Sequence, residues 1–401
     1  MKLRPWPGLL ALGFLGCATA PPARVDEPAS GFRLESADGS TLELGALVQV
    51  LGRWSDDARD PTAQLDLKRV RPEFSGELAG SLAFNLEPNF SADEVELEEA
   101  WVGPRLLGGR ATLHIGRMKA PFNLEEVRSR RHIDFPYFSI VNQLAPAEDH
   151  GLFLDGKSAS GRHEYGLALY NGTGAADTNP SKDVAARWML HPFAEDDTSR
   201  FANLQFGLAG TLGSQDEDVG ELALKNETRL DIVPFADDAR LDGTRERLGL
   251  ELAWFAGPWF LQGEYLGMRQ EMTSAAGAER VLFHGGYLTL ARVLTGETRT
   301  FGGVSPAVPF DFATGAGRGA WTLAVRYSVL NLDDDLETAL VEPGSFTDQV
   351  QTGSLGLNWT PSRHAIVRTA VVGSFYDGDI RLDTGSGDRE AALLVEFQLH
   401  Y

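Results

Sequence analysis

The chain has 401 residues, 43% of them hydrophobic, and a formal net charge of −21; a surface this acidic repels polyanions and excludes nucleic acid as a partner. Its single cysteine, Cys17, leaves no internal disulfide and no cysteine-held structural metal. The length suits either two ordinary soluble domains or one large barrel, so the hydropathy pattern must decide.

In chain order, Met1-Lys2-Leu3-Arg4 and the apolar run Leu9 to Leu15 form the charged and hydrophobic parts of an export signal over residues 1–20. The run is too short to span a bilayer permanently. Two processing routes are open: Leu15-Gly16-Cys17 resembles a lipidation site, and Ala18-Thr19-Ala20 an ordinary cleavage site. The Pro/Ala-rich start of 21–40 predicts an N-terminal linker or periplasmic segment, and 41–401 a single domain.

Within that domain, sixteen strand-like runs follow one another, at 41–53, 64–79, 81–90, 94–103, 110–118, 150–157, 163–171, 183–193, 201–213, 245–256, 258–271, 281–294, 319–331, 349–360, 363–376 and 390–401. Leu248, Leu250, Leu252 and Trp254 alternate with Arg247, Gly249 and Glu251; Leu393, Val395, Phe397, Leu399 and Tyr401 alternate with Glu396, Gln398 and His400. Period two means one face meets oil and the other water. The run 281–294 carries apolar residues on both faces, which leaves its orientation open. A soluble sandwich alternates similarly, but with shorter strands and no need for a polar face rich in charge and glycine. An even number of long strands predicts an all-β, transmembrane antiparallel barrel of about 16 strands, with lipid outside and a hydrated lumen. Tight links (Gly80, Gly257-Pro258, Pro361-Ser362) contrast with long ones at 119–149, 214–244, 295–318, 332–348 and 377–389. Long loops are expected on one side, with at least one folded into the lumen. Trp101, Trp188, Trp254, Trp259 and Trp359 are candidates for an interfacial girdle or a subunit contact.

The densest cationic stretch opens the link at 119–149: Arg117, Lys119, Arg128, Arg130 and Arg131 outnumber Glu125, Glu126 and Asp134. Folded into a narrow lumen, these cations would lower the barrier to anions; alternatively, they pair with lumen carboxylates and pin the loop. Arg69, Arg71 and Glu73, together with Arg187, Arg247, Arg326 and Arg368, fall on the polar faces of their runs and are expected to line the lumen. Catalytic signatures are absent: there is no G-x-S-x-G, H-E-x-x-H or P-loop, and the eight histidines lack metal-ligand spacing. Acidic clusters such as Asp333-Asp334-Asp335 lack the ligand spacing of a calcium loop. No enzyme activity, cofactor or metal is expected.

The chain resembles the phosphate-selective porin O and P family of Gram-negative outer membranes. The resemblance is carried by Arg69-Val70-Arg71-Pro72-Glu73-Phe74, by Gly116-Arg117-Met118-Lys119-Ala120-Pro121-Phe122-Asn123, by Leu144-Ala145-Pro146-Ala147-Glu148-Asp149-His150-Gly151, and by Gly319-Ala320-Trp321 and Leu357-Asn358-Trp359. It implies a sixteen-stranded, usually trimeric, anion-preferring channel in which Lys119 and its basic neighbours sit in the constriction loop. The chain departs from the family's lysine-rich permeation path, having only six lysines. The expectation is therefore a general or anion-preferring outer-membrane porin passing small polar or anionic solutes, in contact with outer-membrane lipids and lipopolysaccharide. The alternative is a non-conducting barrel that anchors or binds at the surface.

Overall fold

The computed structural model describes residues 32–55, 63–91, 95–174, 180–196, 198–336, 340–341, 347–382 and 385–401; the expected signal segment and Cys17 lie outside them. A short strand, β1 (Phe32–Glu35), precedes the sixteen that build the wall, and it falls inside the stretch expected as linker. The first half of the wall is β2 (Thr41–Ser55), β3 (Gln64–Leu78), β4 (Leu82–Asn89), β5 (Glu96–Leu106), β6 (Ala111–Lys119), β7 (Glu148–Lys157), β8 (His163–Tyr170) and β9 (Asp183–Leu190). The second half is β10 (Gln205–Asp218), β11 (Arg240–Ala256), β12 (Trp259–Ser274), β13 (Gly277–Val293), β14 (Ala320–Asn331), β15 (Gln349–Ser362), β16 (Ala365–Leu382) and β17 (Gly385–His400).

Each strand pairs antiparallel with the next, and β17 closes on β2 from Ala392↔Ser55 to His400↔Leu47. Closure leaves the wall without a free edge strand, as a bilayer demands, although the β3–β4 ladder covers only Phe74–Leu78 of β3. At the seam Tyr401 exchanges two backbone hydrogen bonds with Ala46 (3.0 and 3.1 Å). The same edge of β2 is then taken up by β1, starting at Phe32↔Leu44.

All sixteen expected runs are strands. Several extend further than the alternation predicts: β10 and β11 reach Asp218 and Arg240, and β16 and β17 leave only 383–384 between them. Outside the lipid belt both faces are wet, so the period-two signal fades while the ladder continues. The ends of the cylinder also differ from expectation. One end, the loop end, carries 120–147, 219–239 and 332–348, but also the tight link 275–276. The opposite, turn end carries tight links and two long ones, 191–204 and 294–319. The expected loop 295–318 therefore belongs to the turn end, because an odd number of strand crossings separates it from 219–239 and 332–348.

Outward faces are lined by Leu208, Leu250, Leu288, Val325, Leu355, Val371 and Phe397, all exposed. Trp188, Trp254, Trp259 and Trp359 also face outward, at the turn end. Trp101 does not: it turns inward, edge-on to His114 with ring centroids 4.2 Å apart, and donates to Glu99. Strand parity decides this, since Gly103 and Glu99 share its face.

The lumen is unevenly filled. Segment 120–147 folds inward and runs along the inner wall of β11 to β17, where small wall residues admit it. A side-chain atom at Gly249 would sit 3.4 Å from Phe122, and one at Gly356 3.1 Å from Phe135. Segment 219–239 enters from the same end. Phe122, Ile140, Val141 and Leu144 of the first insert and Leu224, Ile232 and Val233 of the second join Leu266, Met268, Val281, Phe283 and Leu330 of the wall in one buried apolar cluster. A third insert comes from the turn end: Phe301 packs edge-on to Phe255 at 4.4 Å. Partly exposed inner-face charges, among them Arg69, Glu73, Glu77 and Asp155, lie on β3 and β7, across the barrel from this packed half.

Candidate functional site

Partly exposed inner-face charges mark the side between the inserted segment 120–147 and the wall of β2 to β7 as the candidate conduit. What holds the insert decides which charges remain for a solute. Glu264 on β12 accepts the Leu124 and Glu125 amides, the latter at 2.9 Å, and the Tyr287 hydroxyl at 2.7 Å. These amides open the helical turn Leu124–Val127 and have no intrahelical partner, so the carboxylate supplies what the turn lacks. Glu125 in turn accepts the Ser139 amide at 3.0 Å and its hydroxyl at 2.6 Å. Burial pushes the Glu125 carboxyl above its usual range, while Arg326 and the Ser139 bonds oppose that.

Arg326 is the central pin. Its guanidinium meets Glu227 at 2.7 Å and Glu125 at 3.3 Å, donates to the Tyr137 and Phe138 carbonyls at 3.1 and 3.3 Å, and lies over the Phe135 ring. One wall residue thereby ties both loop-end inserts, because Glu227 belongs to 219–239. Arg368, 1% exposed, donates to the Ile133 carbonyl at 2.8 Å and the Arg131 carbonyl, and pairs with Glu396. From the turn end Arg299 reaches the tip of the insert, meeting Asp134 at 2.9 Å and the His132 carbonyl at 3.0 Å. Burial, then the neighbouring His400, Arg299 and Arg368, hold the His132 imidazole well below its usual pKa.

Every residue expected to line the lumen does lie on the inner face, but most are committed to protein partners. Arg187 makes a two-pronged bond to Glu251 (2.6 and 2.8 Å), Arg71 pairs with Glu98, and Glu73 with Arg131. Arg247 approaches Asp183 only at 3.8 Å. Arg69 is different: it donates to the Gln49 side chain at 2.6 Å and makes no ion pair among the described residues.

The five residues expected at the constriction separate. Arg130 (to Glu126 at 2.6 Å and Glu148 at 3.4 Å) and Arg131 remain beside the conduit. Lys119 lies within, donating to the Arg128 carbonyl at 3.3 Å. Arg128 turns away into the packed half, donating to Gln262 and lying over Phe301 and Phe260 at 4.8 and 5.2 Å. Burial, then Arg299, lowers its pKa to about 10. Arg117 must be corrected: it shares the outward parity of Ile115, which is 47% exposed, and it donates to the Leu97 carbonyl at 2.6 Å and the Gly174 carbonyl at the rim. It does not reach the lumen.

Sequence reasoning missed Lys68. A register shift between Gln49 and Val50 puts both Lys68 and Arg69 inward. Lys68 then meets Glu396 at 3.0 Å and lies over the Tyr137 ring at 4.3 Å. It also missed Glu227 and Arg299, which read as external loop residues and carry no local signal of insertion. Among the described residues no group of three or more metal-ligating side chains converges.

Comparison with known proteins was made against this geometry. Residues 52–401 match the family model described as Phosphate-selective porin O and P. Porin O of Pseudomonas aeruginosa is 33% identical over 116 residues, 28% of this chain and 25% of that protein; the chain thus matches about a quarter of the length of its curated relatives. Two solved structures share the fold. The anion-selective porin from Comamonas acidovorans has a TM-score of 0.57 at 12% identity, covering 90% of this chain and 100% of that one. The trimer form of OmpT, an outer membrane protein of Vibrio cholerae, has a TM-score of 0.54 at 10% identity, covering 90% and 99%.

Proposed function

Because the chain belongs to the phosphate-selective porin O and P family, we propose that this outer-membrane porin passes small hydrophilic solutes passively and prefers anions. The observation that carries the preference is Arg69, a lumen guanidinium that makes no ion pair among the described residues and donates instead to the neutral Gln49 side chain. In a water-filled channel with low-dielectric walls, an uncompensated cation lowers the barrier to anions and raises it for cations. The paired arginines contribute little net field, since each has its carboxylate beside it. Transport is diffusion with no covalent step, and the segment 41–401 is the working domain behind an export signal at 1–20. Association of three copies is part of this reading, as in the trimer form of OmpT.

The test is the reversal potential of single channels in planar bilayers under a salt gradient. A chloride-over-potassium preference is expected; potassium preference refutes the anion assignment and leaves the channel standing. One observation favours the second reading, a non-conducting barrel: the apolar cluster that fills the β10 to β16 half of the lumen. That reading predicts folded, heat-modifiable protein that gives no conductance steps.

A further inference from the structure

The two long turn-end connections share a construction that the channel function does not use. In 191–204 and in 304–319 the chain turns outward along the barrel, and in each an outward-facing indole ties the loop by its N–H. Trp254 donates to the Arg200 carbonyl at 2.8 Å, and Trp359 to the Arg318 carbonyl at 3.0 Å. Each loop then lays two phenylalanines beside that indole. Phe201 lies 6.2 Å from Trp254 with Phe193 6.0 Å beyond it, and Phe310 and Phe312 lie 5.2 and 6.0 Å from Trp359. Phe312 is 70% exposed and Val308 49%. In each loop one carboxylate turns back on its own backbone, Asp196 onto the Thr198 amide and Asp311 onto the Ala313 amide.

We propose that these two loops are interfacial anchors seated in the headgroup and upper acyl layer of the leaflet at the turn end, with phospholipid as their partner. Three features select lipid. The exposed rings lie at the turn end of the outward belt of Leu208 and Leu250 above Trp254 and of Leu355 and Leu357 above Trp359. Indoles that present a ring to the apolar side and an N–H to a carbonyl fit the interface between the two media. The same device occurs twice at one end of the cylinder, on separate strand pairs, as a planar partner requires and a single protein footprint does not. Arg200, stacked 4.9 Å from the Phe201 ring, keeps its charge at headgroup level while its stem stays with the ring.

The test uses the full chain carrying Cys17→Ser, so that one introduced cysteine is the only label site. Phe312→Cys, Val308→Cys and Phe201→Cys report on the anchors; Ser160→Cys, in a short exposed link at the same end, is the water control. Each is labelled with a polarity-sensitive fluorophore in phosphatidylcholine vesicles, with folding checked by heat-modifiable gel mobility. Brominated acyl chains should quench the three anchor labels about twofold or more relative to Ser160→Cys, with iodide showing the reverse order. Iodide quenching equal to the control places the loops in water and overturns the proposal. Protection from both quenchers overturns it in favour of a protein contact. Neither result bears on conduction, so this inference and the porin reading fail separately.

Discussion

Neutralising Arg69 removes a lumen cation that makes no ion pair among the described residues. An ion passing at about 6 Å feels about 0.7 kcal/mol from a unit charge at the dielectric constant of water, favourable for an anion and equally unfavourable for a cation. Screening over a Debye length of about 10 Å at 0.1 M salt reduces each term to about 0.4 kcal/mol. The difference between the two ions, about 0.8 to 1.4 kcal/mol, is a change of about 4- to 10-fold in permeability ratio. Arg69→Gln should therefore lower the chloride-to-potassium permeability ratio about 4-fold at 0.1 M salt, rising toward about 10-fold as salt is lowered. Single-channel reversal potentials measured at two ionic strengths provide the assay. The double variant Arg187→Gln with Glu251→Gln removes a bonded pair of opposite charges together, and serves as the paired-charge control. A ratio unchanged in Arg69→Gln, or shifted no more than in the control, refutes the reasoning that unpaired charge sets selectivity.

Three further outcomes follow from the pins. Arg326→Ala strands the buried Glu125 and Glu227 carboxylates and should cost about 3–5 kcal/mol, read as a lower temperature for loss of the compact gel band. Glu264→Ala deprives two backbone amides and the Tyr287 hydroxyl of their acceptor, at about 1–3 kcal/mol for each group left unsatisfied; its single-channel current should be noisier than wild type at equal voltage, whereas quiet current would mean that the insert is held elsewhere. His132, whose folded pKa lies below the ordinary imidazole value of 6.5, binds fewer protons folded than unfolded, so its contribution is present above pH 6.5 and is lost as pH falls toward the folded value. Urea unfolding at pH 7.5 and pH 5 should show a loss of stability on acidification, at most about 1.4 kcal/mol per pH unit from this group, and His132→Asn should lessen it.

The wall was legible because its two media write themselves into the chain: Trp321, Leu323, Val325 and Tyr327 face out while Thr322, Ala324, Arg326 and Ser328 face in. The one run that resisted orientation, 281–294, has a physical explanation. Val281, Phe283 and Tyr287 point into a lumen made apolar by the inserts, so the inner face loses its polar signature. The site was less legible for a related reason. Arg326 and Arg368 carry the parity of pore-lining residues, yet whether such a residue meets solute or a loop carbonyl depends on contacts to Phe138 and Ile133, some 190 and 235 positions away. Arg117 was misread because the basic stretch straddles a strand end, where a run of like residues gives no parity of its own. The bulge that turns Lys68 inward adds a single residue to β3 and leaves no mark in its composition.

At the seam two strands share one lane of β2. β17 ends opposite Ala46 and β1 resumes along the same edge opposite Leu44, as though one strand had been cut and rejoined with only Gly45 facing the gap. Neither strand can lengthen along β2 toward the other without displacing it, so Phe32 and Tyr401, whose rings lie 5.5 Å apart, fix the register of both.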